Sequence, residues 1–239
     1  MRTLGIDLAS NPANTGVCRL WWRDGQARLE RLEVGADDAA LLAHCADLEV
    51  IGIDAPFGWP QAFLAELAGP DVPEVAPPDW TPGRRDALRW RATDWYSRHT
   101  LGRWPLSVST DLIGVPALRC RGLLARLGVH DRSGDGRVFE TYPAGALQQW
   151  GFRSTGYKGA KGRSARQHLL ANLEGRAPWL VLNEEARALI AKSDDALDAL
   201  VAALNARACQ LGWTLGPADA ADRAAAVREG WIHLPRPDA

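Results

Sequence analysis

Three short apolar runs of this chain end on a carboxylate: Leu4-Gly5-Ile6-Asp7, Val50-Ile51-Gly52-Ile53-Asp54 and Val138-Phe139-Glu140. A fourth acidic group, Asp194, Asp195 and Asp198, opens an Ala/Leu-rich stretch near the C-terminus. Carboxylates at strand ends converge when the strands lie side by side in parallel, about 4.8 Å apart. Parallel sheets also carry their ligand sites at such carboxyl ends. Acids gathered there repel unless they are protonated or bridged by a cation. A ring of carboxylates with no lysine nearby therefore predicts a divalent ion, and oxygen ligands suit Mg²⁺ or Mn²⁺.

The chemistry that follows is hydrolysis of a phosphodiester between two ions about 3.5–4 Å apart. Asp7 is the expected bridging ligand, with Asp54, Asp195 and Asp198 as further ligands. Glu140 is expected as an outer ligand or as the group that orients water. Simpler roles compete. Ser193 fits a helix N-cap, and Asp194 and Asp195 then sit in a first turn where the helix dipole favours acids. Asp7 and Asp54 fit turn caps, and Glu140 fits an ion pair with an arginine. Asp198 lies a full turn further in, between apolar neighbours, where capping does not account for it. The chain has no G-x-S-x-G elbow, and its five histidines show no metal-ligand spacing.

A nuclease must also hold phosphates. Residues 81–132 carry ten arginines against four acids, interleaved with Trp90, Trp95, Tyr96 and Trp104. Arg84, Arg91 and Arg98 recur every seven residues, which predicts one basic helix face, and arginine with aromatics suits unpaired strands. From Thr141 to Leu173 there is no acid, while Lys158, Lys161 and Arg163 occur within a glycine-rich segment read as a flexible phosphate-binding loop. The competing readings are a solvated basic surface, with Asp94 pairing Arg91 and Arg98, and tryptophans that belong to the core.

The elements that must position these groups follow from periodicity. Residues 2–8, 15–23, 27–34, 49–54 and 137–141 read as strands, with Asp24-Gly25 as a hairpin turn between the second and third. Helices are expected at 36–47, 81–99, 116–127, 164–174, 184–191 and 194–211. In the last of these, Leu197, Leu200, Val201, Leu204 and Ala208 form an apolar stripe, so that face packs on the sheet beside Asp195 and Asp198. Residues 57–135 are too long for a simple crossover and read as a partly helical insertion or lid. The expectation is one α/β domain over 1–239. The 239 residues are 46% hydrophobic and 24% charged, ordinary for a folded chain. A net charge of -1 leaves any nucleic-acid affinity to local patches. Four scattered cysteines, no signal peptide and no apolar run of about 20 residues predict a cytoplasmic protein that does not enter membranes.

Several segments together resemble the domain-of-unknown-function 429 family (DUF429): Gly-Ile-Asp7, Ile-Asp54-Ala-Pro, Arg91-Ala-Thr-Asp94, Pro105-Leu-Ser-Val-Ser109, Phe-Glu140-Thr-Tyr-Pro143, Asp195-Ala-Leu-Asp198-Ala and Glu229-Gly-Trp-Ile. The likeness spans about residues 3–235. Members are described as predicted nucleases with a ribonuclease H-like fold. The resemblance implies a five-stranded mixed sheet of order 3-2-1-4-5, flanked by helices, with a large helical insertion between strands 4 and 5. It also implies an acidic site in which Asp7 matches the first-strand acid, Asp54 the fourth-strand acid, and Asp195 and Asp198 those of the final helix. Two departures stand out. The first helix offers Leu41-Leu42-Ala43-His44 where an acid is usual, and the minimal fold has no such insertion. The function expected is a metal-dependent nuclease using two divalent ions. The alternatives are a non-catalytic nucleic-acid-binding module and an actin-like or sugar-kinase-type phosphotransfer protein.

Overall fold

A computed structural model describes residues 1–46, 48–69 and 80–238. The strands are β1 (Arg2–Asp7), β2 (Gly16–Arg23), β3 (Gln26–Val34), β4 (Val50–Asp54), β5 (Val138–Glu140), β6 (Leu180–Val181), β7 (Thr214–Leu215) and β8 (Leu234–Pro235). The helices are α1 (Asp38–Cys45), α2 (Gln61–Leu67), α3 (Pro82–Arg89), α4 (Ala92–Leu101), α5 (Gly114–Arg126), α6 (Pro143–Gln149), α7 (Arg163–Arg176), α8 (Glu184–Lys192), α9 (Asp194–Gln210) and α10 (Ala220–Glu229).

The principal sheet has six strands in the order β5-β4-β1-β2-β3-β6, and β7 and β8 form a small second sheet. The sequence predicts five strands. The sixth is the two-residue β6, which adds in parallel to the outer edge of β3, where its short Leu-Val run carries too little pattern to be read. The sheet is mixed: β1 and β2 are antiparallel, whereas β1, β4 and β5 run parallel. The β2–β3 hairpin turns at Asp24-Gly25, both with positive φ (52° and 73°), as a two-residue turn matched to strand twist requires.

Two apolar cores cover the faces of this sheet. On one face, Leu4, Ile6, Val17, Ile51 and Ile53 pack against Leu41 of α1 and Leu123 of α5. On the other, Cys18, Leu20 and Ala27 pack against α6, α7, α8 and the apolar stripe of α9. Strand glycines set how closely α9 approaches. A Cβ on Gly5 would lie 2.0 Å from the Ala199 carbonyl oxygen, one on Gly52 2.7 Å from that of Ala202, and one on Gly16 2.3 Å from that of Asp195. The backbone of α9 thus rests directly on β1, β2 and β4, and its first turns reach the carboxyl ends of β1 and β4.

The continuous helix expected over 81–99 is two helices. Trp90 and Arg91 adopt extended backbone angles (φ −118°, ψ 130° and φ −75°, ψ 162°), so α3 ends and α4 restarts with Arg91 as its N-cap. Four helices, α2 to α5, lie between β4 and β5 among the described residues. All four cysteines are free thiols. Among the described residues, no helix is long and apolar enough to cross a membrane.

Candidate metal centre

Asp7 and Asp54 are direct partners in the parallel β1–β4 ladder. Register partners share a face, and here it is the face on which α9 lies. Asp198 comes down from the second turn of α9. One ligand oxygen from each of Asp7, Asp54 and Asp198 falls within 4.8 Å of the other two. Asp198 is fully buried. Asp195 sits to one side: its backbone lies over Gly16, the β2 residue paired with Asp7. Its carboxylate accepts a hydrogen bond from the Ser193 hydroxyl at 3.0 Å, and Ser193 also caps α9 by accepting from the Ala196 N–H at 3.3 Å. Capping and proximity to the acidic group therefore coexist at Asp195. Asp194 accepts from the Gly159 N–H at 3.2 Å and faces the following loop.

The proximity of these acids is visible in their proton affinities. Burial, then Asp198 and Asp54, pushes the Asp7 carboxyl well above its ordinary value, against the pull of Lys158. Burial and then Asp198 push Asp54 up to about 8. Asp198 is raised by burial in spite of Lys158 and Tyr157. Asp195 is raised chiefly by burial, with Ser193 opposing.

Glu140 does not join this group. Its ladder partner is Ile53, one residue out of phase with Asp54, so its side chain lies on the opposite face of the sheet. There it is buried in an ion network. Arg91 donates to its carboxylate at 2.9 and 3.0 Å, and the Phe57 N–H at 2.9 Å. Burial pushes Glu140 up to about 7, with Arg91 and Phe57 opposing. The same guanidinium meets Asp94 at 2.9 Å and the Glu229 carbonyl at 3.1 Å. Glu229 in turn accepts from the N–H groups of Gln61 and Ala92, both at 2.9 Å. Glu140 and Arg91 thus join β5, the start of α4 and the end of α10. Arg91 is 2% exposed and is not on the surface, because the break at Trp90 turns it inward.

The other basic residues divide. Arg84 pairs with Glu66 at 2.9 Å and lies over Trp80. Arg98 donates to the Gly102 carbonyl and lies over Trp104. Trp90 stacks on Trp104 at 4.1 Å, and Trp95 meets Trp104 edge-on at 4.7 Å. Lys161 and Arg163 are exposed. Lys158 is not a free loop cation, and the expectation of a lysine-free acidic ring is corrected here. Its ammonium reaches inward from a half-exposed side chain to the Asp198 carboxylate. Burial works against that charge, but Asp198, Asp7 and Asp54 outweigh it and raise its pKa.

Sequence reasoning missed two residues here. Tyr157 is buried and donates its hydroxyl to Asp198 at 2.9 Å. Arg166 is buried and donates to the carbonyls of Tyr157 (2.6 Å), Gly159 (2.8 Å), Ala191 (3.1 Å) and Lys192 (3.0 Å). It pins the glycine-rich segment, expected to be flexible, to the end of α8, just before α9. Both lie in the acid-free stretch from Thr141 to Leu173, where Tyr142 also occurs and Arg166 is one of several basic residues, so neither stood out.

A donor set of carboxylate oxygens suits a hard cation. One ammonium faces three carboxylates here and does not balance them. The residues present therefore fit a divalent ion. No curated protein and no solved structure matches the chain. A family model described as a protein of unknown function, DUF429, matches residues 5–222, and the chain belongs to that family.

Proposed function

We propose that the protein is a metal-dependent nuclease of ribonuclease H-like type, with an insertion between β4 and β5. The observation that carries this reading is the meeting of Asp7, Asp54 and Asp198 within 4.8 Å at the carboxyl ends of β1 and β4. These three residues would hold Mg²⁺ or Mn²⁺, and Asp195 extends the group toward a second ion. When bound, such ions activate water and stabilise the charge on phosphodiester oxygens. Tyr157 fixes the orientation of Asp198 by its hydrogen bond. Lys158 stands at the mouth, where its ammonium can turn from Asp198 to a substrate phosphate. Lys161 and Arg163, on the same loop, supply further phosphate contacts. Arg84 and Arg98 lie further away, on α3 and α4.

The test is cleavage of single- and double-stranded RNA and DNA with Mg²⁺ or Mn²⁺, paired with calorimetric metal binding. The parent cleaves at least one of these. Asp7→Asn lowers the rate by roughly two to three orders of magnitude, the scale of a lost charge-stabilising group, and keeps its melting transition. Cleavage by Asp7→Asn at the parent rate would remove the proposed site. A second reading, a non-catalytic nucleic-acid binder, draws on the Lys158–Asp198 pair, which partly neutralises the acids without any ion. It predicts unchanged strands and no calorimetric signal for either metal.

A further inference from the structure

Far from the acids, at the other end of α9, lies a cavity of about 790 Å³ that the nuclease reading does not use. Arg207 on its wall is nine residues beyond Asp198, about 14 Å along the helix. Its walls are aromatic: Trp22, Trp150, Phe152, Trp179 and Trp213 line it. Trp22 and Trp179 meet at 5.4 Å with their planes tilted by 39°.

The polar groups at this cavity are mostly donors. Arg176 lies over Phe152 at 5.6 Å and Arg207 over Trp22 at 5.2 Å. Among the described residues, the hydrogen bonds of both guanidiniums go to neutral acceptors. Arg176 donates to the Trp150 carbonyl, and Arg207 to the Met1 sulfur and the Gln210 side chain. Burial lowers the pKa of Arg207, with Glu49 opposing. Trp150 Nε1 is a buried donor with no acceptor. Of the two acids on the wall, Asp24 pairs with Arg23 at 3.1 Å, and Asp238 is at the chain end.

The geometry points to a binding site for a small anionic aromatic molecule, a ring of indole or purine size that carries a phosphate or carboxylate. The ring replaces water on the tryptophan walls, and the anion meets Arg176 and Arg207. The volume lies within the range of small-molecule pockets, about 300–1,000 Å³. Burying one fused ring among such walls is favourable on area alone.

The test follows the tryptophan indole N–H resonances of the full chain during titration with AMP, adenosine and indole-3-acetate. The Trp150 signal is assigned by its loss in Trp150→Phe. Saturable movement of that signal is expected with AMP, indole-3-acetate or both, and which of them acts identifies phosphate or carboxylate as the anion. Adenosine is expected to bind at least about tenfold more weakly than AMP, the scale of one charge-assisted contact. Arg176 is exposed, so Arg176→Gln should fold as the parent does and bring the affinity for AMP down toward that for adenosine. The proposal is overturned if neither anion moves the Trp150 signal, if adenosine binds as well as AMP, or if Arg176→Gln leaves the affinity unchanged. Asp7→Asn should leave this binding intact, which separates the cavity from the acidic centre.

Discussion

A carboxyl group whose pKa is raised by folding holds its proton in the native chain and gives it up on unfolding. Asp54, pushed from 3.8 to about 8, is such a group. Between those pH values the folded state binds more protons than the unfolded state, so this residue's contribution to stability falls as pH rises. Asp54→Asn removes the effect, so without metal the variant should gain on the parent in melting temperature from pH 5.5 to pH 8. The parent should also be stabilised more by Mg²⁺ at pH 8 than at pH 5.5, because the ion competes with protons for the same oxygens. Melts of both proteins at the two pH values, with and without Mg²⁺, decide the matter, and pH-independent differences would count against it. At Arg91 the residue scale gives the opposite lesson. Its fork joins Asp94, Glu140 and the Glu229 carbonyl with 2% exposure. Arg91→Met strands two buried acids and should cost about 3–5 kcal/mol in urea denaturation. A surface phosphate-binding arginine would cost almost nothing, so the two roles separate in one measurement.

At the scale of elements, the site depends on α9 lying on bare strand backbone. Gly5 is the closest approach, with 2.0 Å between its missing Cβ and the Ala199 carbonyl oxygen. Gly5→Ala must lift α9 or bend β1, and either movement carries Asp198 away from Asp7. The variant should lose more than about 3 kcal/mol of stability, at the upper end of overpacking costs. Metal-induced stabilisation should fall with it, and normal metal binding by a folded Gly5→Ala would show that this contact does not set the site. The convergence of Asp7, Asp54 and Asp198 was legible in the sequence because strand endings and a helical stripe are local patterns. For Glu140 the sequence left open both a place at the metal centre and an ion pair with an arginine, because a single residue of register decides which face of β5 it occupies, and only the paired neighbour Ile53 selects the pair with Arg91. Likewise, Arg84, Arg91 and Arg98 share a face only on an unbroken helix, and tertiary demand at Trp90 and Arg91 overrides the local pattern. The two-residue strand β6 and the Lys158–Asp198 contact arise only after the chain has folded.

Over the whole molecule, the net charge of -1 provides no general attraction for polyanions. On the proposed nuclease reading, any affinity for nucleic acid has to come from cations clustered near the acidic centre, and the segment from Gly156 to Arg163 adjoins it through Lys158. Arg166 ties two carbonyls of that segment to two at the end of α8, so its cations are presented from a fixed backbone. Lys158 turns inward to Asp198, whereas Lys161 and Arg163 are exposed. These positions give the lysines different roles. Lys161→Gln with Arg163→Gln removes two phosphate contacts and should flatten the dependence of log K on log salt by roughly 1.4–1.8. Lys158→Gln should change that slope less, since its charge is already partly spent on Asp198, but it should leave the acids less compensated and so tighten Mn²⁺ binding. Fluorescence-anisotropy titrations of a labelled single strand over a salt series measure the slopes, and calorimetry measures the metal. An equal loss of slope at Lys158 and Lys161, with unchanged Mn²⁺ affinity, would mean that the Lys158 ammonium belongs to the substrate surface and not to the acidic centre.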